Sequence, residues 1–190
     1  ARVDRTGRIS PYDDILKKYG RRYGLDWRLL AAQAYVESGF DPEAKSWVGA
    51  EGLFQVMPRT GRSLGFTDLA SPEQGTHAGV KYLARLLRRF DPELPFRERV
   101  WFALAAYNVG LGHVYDARRL AREKDWDPET WFGHVEKAML LLSRREYARR
   151  ARHGYARGRE PVAYVAHIRD RYRAYQRATR ESEATPATAR

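Results

Sequence analysis

Apolar and polar residues follow one another along this chain with the period of α-helices. In residues 27–38, Leu30, Ala34 and Glu37 fall on one face because they are spaced i, i+4, i+7. The same spacing recurs later, at Val100, Leu104 and Tyr107. No segment shows the strict alternation typical of a half-buried strand. The pattern predicts an all-α fold of short helices in a single domain, with one minor β-hairpin allowed in residues 41–57.

Capping residues, prolines and glycines set the expected helix boundaries. Asp26 is a good N-cap, and Gly24 and Gly39 are good helix stops. Pro42, Gly49 and Gly52 leave an ordered loop with little room for helix. Helices are predicted over residues 11–23, 27–38, 58–64, 72–90, 95–108, 114–123, 130–142, 144–152 and 161–178.

Domain boundaries follow from the same pattern. Residues 1–10 are predicted to be an N-terminal extension or linker, residues 11–178 the folded domain, and residues 179–190 a disordered polar tail. The longest apolar stretches fall short of the ~18–20 residues that span a bilayer. Because the chain begins with Ala1 rather than Met, we expect a mature or excised segment of a longer precursor.

Cysteine content and net charge limit the kinds of site and binding partner that this chain can have, but they do not identify one. The chain has no cysteine, which removes disulfides, thiolate metal sites and cysteine nucleophiles. Its 35 Lys and Arg against 24 Asp and Glu give a net charge of +11. That charge attracts nucleic acid, anionic membranes or cell-wall polymers. Much of it lies in the Arg-rich residues 144–180, which are also typical of a solvated helix face.

Glu37 is the first candidate for chemistry. Its helix face also carries Leu30 and Ala34, so we expect partial desolvation, and it stands at the negative end of the helix dipole. Both effects raise the pKa of a carboxyl group. A carboxyl that stays protonated near neutral pH is what protonation of a glycosidic oxygen requires. A helix-terminal glutamate is more often plain surface, so the residue alone does not decide.

Two further segments could contact a sugar. In the loop after Gly49, Gln55 offers a donor and an acceptor for acetamido and hydroxyl groups, and Phe54 or Met57 an apolar platform. The Tyr107 hydroxyl can hold a buried carboxyl, while Asn108 caps the helix or binds. The alternative is a connecting turn and a tyrosine that only packs.

Four motifs in this order resemble the soluble lytic transglycosylase domain family. They are residues 37–42 (ESGFDP), residues 50–60 (AEGLFQVMPRT), residues 105–108 (AAYN) and Tyr164. The run at residues 26–32 and the C-terminal helices resemble the catalytic module of the membrane-bound type F members of that family. The resemblance covers residues 11–176.

This resemblance implies a lysozyme-like fold, with a groove for alternating N-acetylglucosamine and N-acetylmuramic acid. Glu37 matches the catalytic acid/base of the family. The positions that line the site or bind substrate correspond to Ser38, Phe54, Gln55, Tyr107, Asn108 and Tyr164. Phe54 departs from the pattern, because the family usually has Met there. No metal or organic cofactor is implied.

The family reaction needs no second carboxylate. The acid protonates the leaving oxygen, the muramic acid acetamido group stabilises the anomeric carbon, and the C6 hydroxyl closes a 1,6-anhydro ring. A goose-type lysozyme is the nearer alternative, with the same acid but a water directed by Asp41 or Glu51. The remote alternative is a non-enzymatic basic protein that binds wall polymer or nucleic acid.

The resemblance also implies a setting. The partner is peptidoglycan glycan strands, and nucleic acid is not expected. The type F relatives carry a ligand-binding regulatory domain ahead of the catalytic module. They lie in the periplasm at the inner face of the bacterial outer membrane. A monomer is the default expectation.

Overall fold

The computed structural model describes residue 4 and residues 7–184, and every regular element in that part of the chain is a helix. The helices are α1 Asp13–Tyr23, α2 Trp27–Ser38, α3 Pro58–Leu64, α4 Pro72–Leu87, α5 Phe96–Val109, α6 Leu111–Glu123, α7 Glu136–Leu141, α8 Arg145–Ala148 and α9 Arg159–Ala184. None of the described helices is long and apolar enough to cross a membrane. The predicted all-α class is confirmed.

The chain forms two compact units. The first unit contains the chain up to Tyr82 together with the segment from His167 onward, and the second unit is Leu83–Ala166. The predicted domain, residues 11–178, therefore contains both units.

Helix α1 begins two residues later than predicted. Its first residue, Asp13, has a buried carboxylate that accepts the backbone N–H of Ile9 at 2.9 Å and the N–H and hydroxyl of Ser10, both at 2.8 Å. An ionised acceptor makes stronger hydrogen bonds than a serine hydroxyl, so the chain folds back onto Asp13. Ile9 and Ser10 are thereby buried, and this end of the predicted extension is packed.

The start of α2 is held by a polar cluster in the first unit. The Asp26 carboxylate caps the helix at the N–H of Arg28, 2.9 Å away, and accepts the Arg28 guanidinium at 2.9 and 3.0 Å. From α9, the Tyr172 hydroxyl donates to it at 2.9 Å. Burial alone would raise the pKa of Asp26, but these hydrogen bonds outweigh burial and lower it. Burial, followed by the bond to Asp26, raises the pKa of Tyr172 to about 12.

The predicted helix over residues 130–142 is wrong in its first half. The backbone is non-helical at Phe132, where ψ is 129°, and at Gly133, where φ is 79°. The N–H of Trp131 instead reaches the Glu98 carboxylate on α5 at 2.9 Å, and the N–H of Gly133 reaches Glu136 at 2.7 Å. These carboxylates accept N–H groups that the first turn of a helix also leaves without helical partners, and α7 starts only after Gly133.

The C-terminal helix is longer than predicted. It runs from Arg159 to Ala184, so the first six residues of the predicted disordered tail are helical, while residues 185–190 lie outside the described residues. Thr179 is buried, and the Arg28 guanidinium donates to its hydroxyl at 3.3 Å. Smaller corrections are that α4 ends at Leu87, α6 starts at Leu111 and α8 is only four residues long.

The Arg-rich residues 144–180 form the solvated surface that their pattern indicates. Arg169 and Arg171 are half-buried, and the other arginines of that stretch are exposed.

Candidate active site

Glu37 is the penultimate residue of α2 and is half-buried. Ala34 and Leu30, one and two turns earlier on the same face, are completely buried. Gly39 ends the helix in the left-handed conformation, with φ of 65°, and its N–H donates to the carbonyl oxygen of Tyr35 at 2.8 Å. The predicted helix, its cap and its stop are all confirmed, and the carboxyl group stands at the edge of the core.

Ser38 connects the end of this helix to the loop that follows. Its hydroxyl lies 2.9 Å from the carbonyl oxygen of Leu53 and 3.1 Å from that of Ala34. The single O–H is shared between the two acceptors, one in its own helix and one fifteen residues ahead. The structure thus brings two of the sequence motifs together through the residue next to Glu37.

An aromatic pair supports the turn after Glu37. Phe40 has a φ of 69°, which is uncommon for a residue with a side chain. Its ring meets the ring of Tyr35 edge-on, with centroids 5.6 Å apart. The guanidinium carbon of Arg171, on α9, lies 3.6 Å from the Tyr35 centroid, a cation–π contact. The motifs did not indicate Arg171, because a pair so far apart in sequence leaves no local pattern.

The motif loop, residues 44–56, is a compact irregular structure rather than the allowed β-hairpin. It contains two isolated antiparallel bridges, Lys45 to Glu51 and Glu51 to Val56. The N–H of Gly52 donates to the carbonyl oxygen of Ala44 at 3.0 Å. Gly52 has a φ of 80°, and a Cβ there would lie 2.0 Å from the Leu69 carbonyl oxygen. Glycine at this position therefore allows two backbone segments to approach closely, which any side chain would prevent.

Gln55 braces this loop from within. Its amide nitrogen donates to the carbonyl oxygens of Ala44 and Gly52, each at 3.0 Å, and its backbone adopts a φ of 46°. Both N–H groups of the side chain are therefore engaged by the loop itself. Of the donor and acceptor expected for a sugar, the amide oxygen is the group left to a ligand.

Phe54 belongs to the core, which corrects the expectation that it forms a platform for a sugar. Its side chain is completely buried. It packs directly on the backbone of α4, where a Cβ on Gly79 would lie 2.3 Å from the Phe54 Cβ. A ring with no exposed surface cannot stack on a ligand in this conformation. Met57, the other apolar candidate, is exposed.

The remaining predicted residues lie in the second unit. Tyr107 and Asn108 form the last turn of α5, the first half-buried and the second exposed. The buried run from Val100 to Ala106 fixes that helix in the core. At its end, the N–H of Gly110 donates to the carbonyl oxygen of Ala106 at 2.9 Å. Tyr164 lies in the second turn of α9 and is buried.

Charged groups near the motif loop have partners of their own. The Glu51 carboxylate pairs with Lys45 at 3.4 Å, and Asp41 accepts the N–H of Glu43 at 2.9 Å. In residue 4 and residues 7–184, no three His, Asp or Glu side chains are grouped so as to hold a metal ion.

Solved structures share this fold. The 70 kDa soluble lytic transglycosylase of Escherichia coli matches with a TM-score of 0.61 at 24% identity, over 87% of this chain and 24% of that one. An inactive mutant of the lytic transglycosylase Slt of Pseudomonas aeruginosa matches with a TM-score of 0.59 at 22% identity, over 86% of this chain and 24% of that one. The predicted lysozyme-like architecture is thereby confirmed.

Sequence relatives are more similar but longer. The membrane-bound lytic murein transglycosylase F 1 of Alkalilimnicola ehrlichii is 44% identical over 172 residues, which cover 90% of this chain and 35% of the relative. The membrane-bound lytic murein transglycosylase F of Shewanella pealeana is 42% identical over 175 residues, 90% of this chain and 36% of the relative. The chain thus spans about a third of the length of the curated relatives it matches. Residues 14–129 match the family described as the transglycosylase SLT domain. This chain belongs to the transglycosylase SLT domain family.

Proposed function

We propose that this chain is the catalytic domain of a lytic murein transglycosylase. It cleaves the β-1,4 bond between N-acetylmuramic acid and N-acetylglucosamine in peptidoglycan without adding water. The observation that carries the proposal is Glu37: a half-buried carboxyl at the end of α2, inside the family motif, with Ser38 tied to the motif loop. Family membership and the names of the longer relatives support the same reaction.

Glu37 acts first as an acid and then as a base. Its proton passes to the glycosidic oxygen as the bond from that oxygen to the anomeric carbon breaks. The acetamido oxygen of the muramic acid stabilises the positive charge at that carbon. Glu37, now a carboxylate, takes the proton of the C6 hydroxyl while the C6 oxygen bonds to the anomeric carbon. The product carries a 1,6-anhydro ring, and Glu37 is protonated again for the next cycle.

The other motif residues have supporting roles. Ser38 holds the end of the Glu37 helix against the motif loop, and Gln55 offers its amide oxygen to the sugar while its nitrogen braces the loop. Phe54 acts only through packing. To Tyr107, Asn108 and Tyr164 we assign the substrate contacts that the family motifs give those positions.

Hydrolysis by a directed water is the competing reaction. It would need a second carboxylate to activate the water, as in inverting glycosidases. Asp41 and Glu51 were the sequence candidates, and each is engaged elsewhere, Asp41 by a backbone N–H and Glu51 by Lys45. Each carboxylate keeps further acceptor sites, so the chemical end group of the product decides between water and the C6 hydroxyl as the attacking group.

The setting follows from the relatives. Their names describe membrane-bound murein enzymes, so we infer a place in the bacterial cell envelope, in the periplasm and at the outer membrane for the full-length protein. Their greater length is consistent with a further regulatory domain. Peptidoglycan strands are the one partner that we propose, and we expect a monomer.

Glu37→Gln tests the assignment of the acid. The variant keeps the shape of the side chain but has no proton to deliver, so release of soluble fragments from purified sacculi should fall at least ~100-fold. Glu43→Gln is the matched control, since Glu43 is an exposed glutamate just after the same helix. It should cleave like wild type, and both variants should keep the wild-type thermal midpoint. Near-normal cleavage by a folded Glu37→Gln protein would overturn the proposal.

A further inference from the structure

Trp47 is displayed at the tip of the motif loop. Its side chain is 93% exposed, and the neighbouring Val48 is also exposed. The two residues are the centre of a tight turn closed by the N–H of Gly49 on the carbonyl oxygen of Ser46 at 2.9 Å. The N–H of Ala50 donates to the hydroxyl oxygen of Ser46 at 3.0 Å. In return, the N–H of Ser46 donates to the carbonyl oxygen of Ala50 at 2.9 Å. Backbone and serine bonds therefore fix the turn without help from the indole.

The other four of the five tryptophans have packing partners. Trp101 and Trp131 are buried in the second unit. Trp27 lies under the ammonium group of Lys17 at 4.6 Å, and Trp126 under that of Lys137 at 5.6 Å. Trp47 is the exception, since it exposes its large apolar surface to water. Single exposed apolar residues are common, but tryptophan is among the side chains enriched at the energetic centres of binding sites.

The turn is also tied to the candidate active site within the first unit. The N–H of Gly52 donates to the carbonyl oxygen of Ala44 at the base of the motif loop. The Ser38 hydroxyl, at the end of α2, donates to the carbonyl oxygen of Leu53 in the same loop. Trp47 is therefore held on the same braced segment that adjoins Glu37. A ligand seated on the indole would be positioned by that segment rather than by a mobile arm.

We propose that Trp47 is a sugar-binding platform, on which a pyranose ring of a glycan strand stacks its C–H face. The proposal rests on the function proposed above, which supplies the strand. The face of an indole is electron-rich, and the axial C–H groups of a pyranose carry partial positive charge, so the two surfaces attract while both lose water. Val48 extends the apolar surface beside the indole.

Local charge favours a neutral sugar face over a lipid surface. Residues 41–51 contain three acidic side chains, those of Asp41, Glu43 and Glu51, against the single base Lys45. Anionic membranes attract basic segments and repel acidic ones. This stretch is thus acidic, although the net charge of the whole chain is +11. Its negative charge opposes binding to an anionic membrane but has no effect on contact with the uncharged C–H face of a sugar.

The test compares binding with and without the indole in a Glu37→Gln background, so that the polymer is not cut during the assay. Trp47→Ala should weaken co-sedimentation with purified sacculi about tenfold, the effect of losing one aromatic anchor. Tyr155→Ala removes another aromatic residue, 59% exposed, from the second unit and is the matched control, expected to bind like the parent. All variants should melt at the parent temperature, because both side chains are exposed.

A second readout follows the indole directly. Soluble glycan fragments should shield part of the tryptophan fluorescence from acrylamide, and Trp47→Ala should abolish that shielding. Equal sacculus binding by Trp47→Ala and its parent, without shielding, would overturn the proposal. The proposal would also be overturned if Trp47→Ala bound sacculi like its parent but lost binding to vesicles of phosphatidylcholine and phosphatidylglycerol. That result would make the tip of the loop a membrane contact. If wild type fails to cleave sacculi while the shielding is seen, the proposed function fails and the platform remains.

Discussion

The hydroxyl oxygen of Ser38 lies 2.9 Å from the carbonyl oxygen of Leu53. This hydrogen bond joins the last residue of α2 to the middle of the motif loop, next to Glu37 along the chain. Within the loop, the amide nitrogen of Gln55 continues the bracing at 3.0 Å from Gly52 and Ala44. Two motifs that are separate in sequence are thus one supporting structure in the first unit.

Ser38→Ala should therefore affect activity more than stability. Loss of one neutral hydrogen bond lowers the free energy of unfolding by about 1 kcal/mol. A loss of this size leaves nearly all molecules folded, so stability alone predicts no change in the release of fragments from sacculi. We expect the release to fall, because the carboxyl of Glu37 is less well positioned in the variant. Hydrogen exchange at the amides of residues 51–56 should become faster, which reports the loosened loop directly.

Ser63→Ala is the matched control for this variant. Ser63 also donates its hydroxyl to a carbonyl of its own helix, that of Thr60 at 2.8 Å, but contacts no second element through it. The control should leave both cleavage and loop exchange at wild-type levels. Equal behaviour of the two serine variants would show that the bond to Leu53 does not support the site.

Gly79→Ala should destabilise the first unit although alanine is the better helix former. A Cβ at this position would stand 2.3 Å from the Phe54 Cβ and 2.4 Å from its Cγ, so α4 and the motif loop must separate. Overpacking of this kind lowers the free energy of unfolding by about 1–3 kcal/mol, measured by urea denaturation. Helix propensity alone predicts a gain of about 1 kcal/mol, the opposite sign.

Phe54→Met, the residue usual in the family, sharpens this prediction. Methionine keeps a Cβ, so the double variant Gly79→Ala with Phe54→Met should remain destabilised. If the double variant regains the full wild-type free energy of unfolding, the phenyl ring, and not the approach of the two backbones, is the reason that position 79 requires glycine.

Asp26→Asn should change the pH dependence of stability at acid pH. The hydrogen bonds from Arg28 and Tyr172 lower the pKa of Asp26 against the effect of burial. Because the pKa is lower in the folded chain, the carboxylate stabilises the fold above its unfolded pKa of about 4, and that contribution disappears as pH falls through the folded value. The wild type should thus be more stable than Asp26→Asn at pH 6, with the difference shrinking below pH 4.

Asp14→Asn gives the baseline for that experiment. Asp14 is exposed in the first turn of α1 and does not belong to the cluster at the start of α2. Its stability difference from wild type should be small across the same range. A difference for Asp26→Asn that stays constant from pH 6 to pH 2 would contradict the lowered pKa.

Local signals predicted the helix that carries Glu37 because its determinants are local. Asp26 caps α2 and Gly39 ends it, as their residue types indicate. Pro58 and Gly65 bound α3 in the same way. The family motifs then identified Glu37 and Ser38 without any knowledge of their contacts.

Errors occurred where distant residues decide the local structure. Phe54, in the motif loop, is buried because Gly79, on α4, leaves room for it. The turn at Trp131 departs from helical geometry at Phe132 and Gly133, and Glu98, on α5, binds the Trp131 N–H. The end of α9 extends beyond the predicted tail boundary through Thr179, which packs near Arg28. None of these pairings has a signature in a window of neighbouring residues.

The mass of the sugar products tests the central claim most directly. Sacculi digested by the wild-type chain, and analysed by mass spectrometry without borohydride reduction, should yield muramic acid ends that carry a 1,6-anhydro ring and no reducing group. Attack by water would leave the same fragments heavier by one water, with reducing ends. Anhydro products that vanish in Glu37→Gln are the result we expect. Products that are wholly reducing sugars would contradict the transglycosylase reaction and direct attention to Asp41 and Glu51.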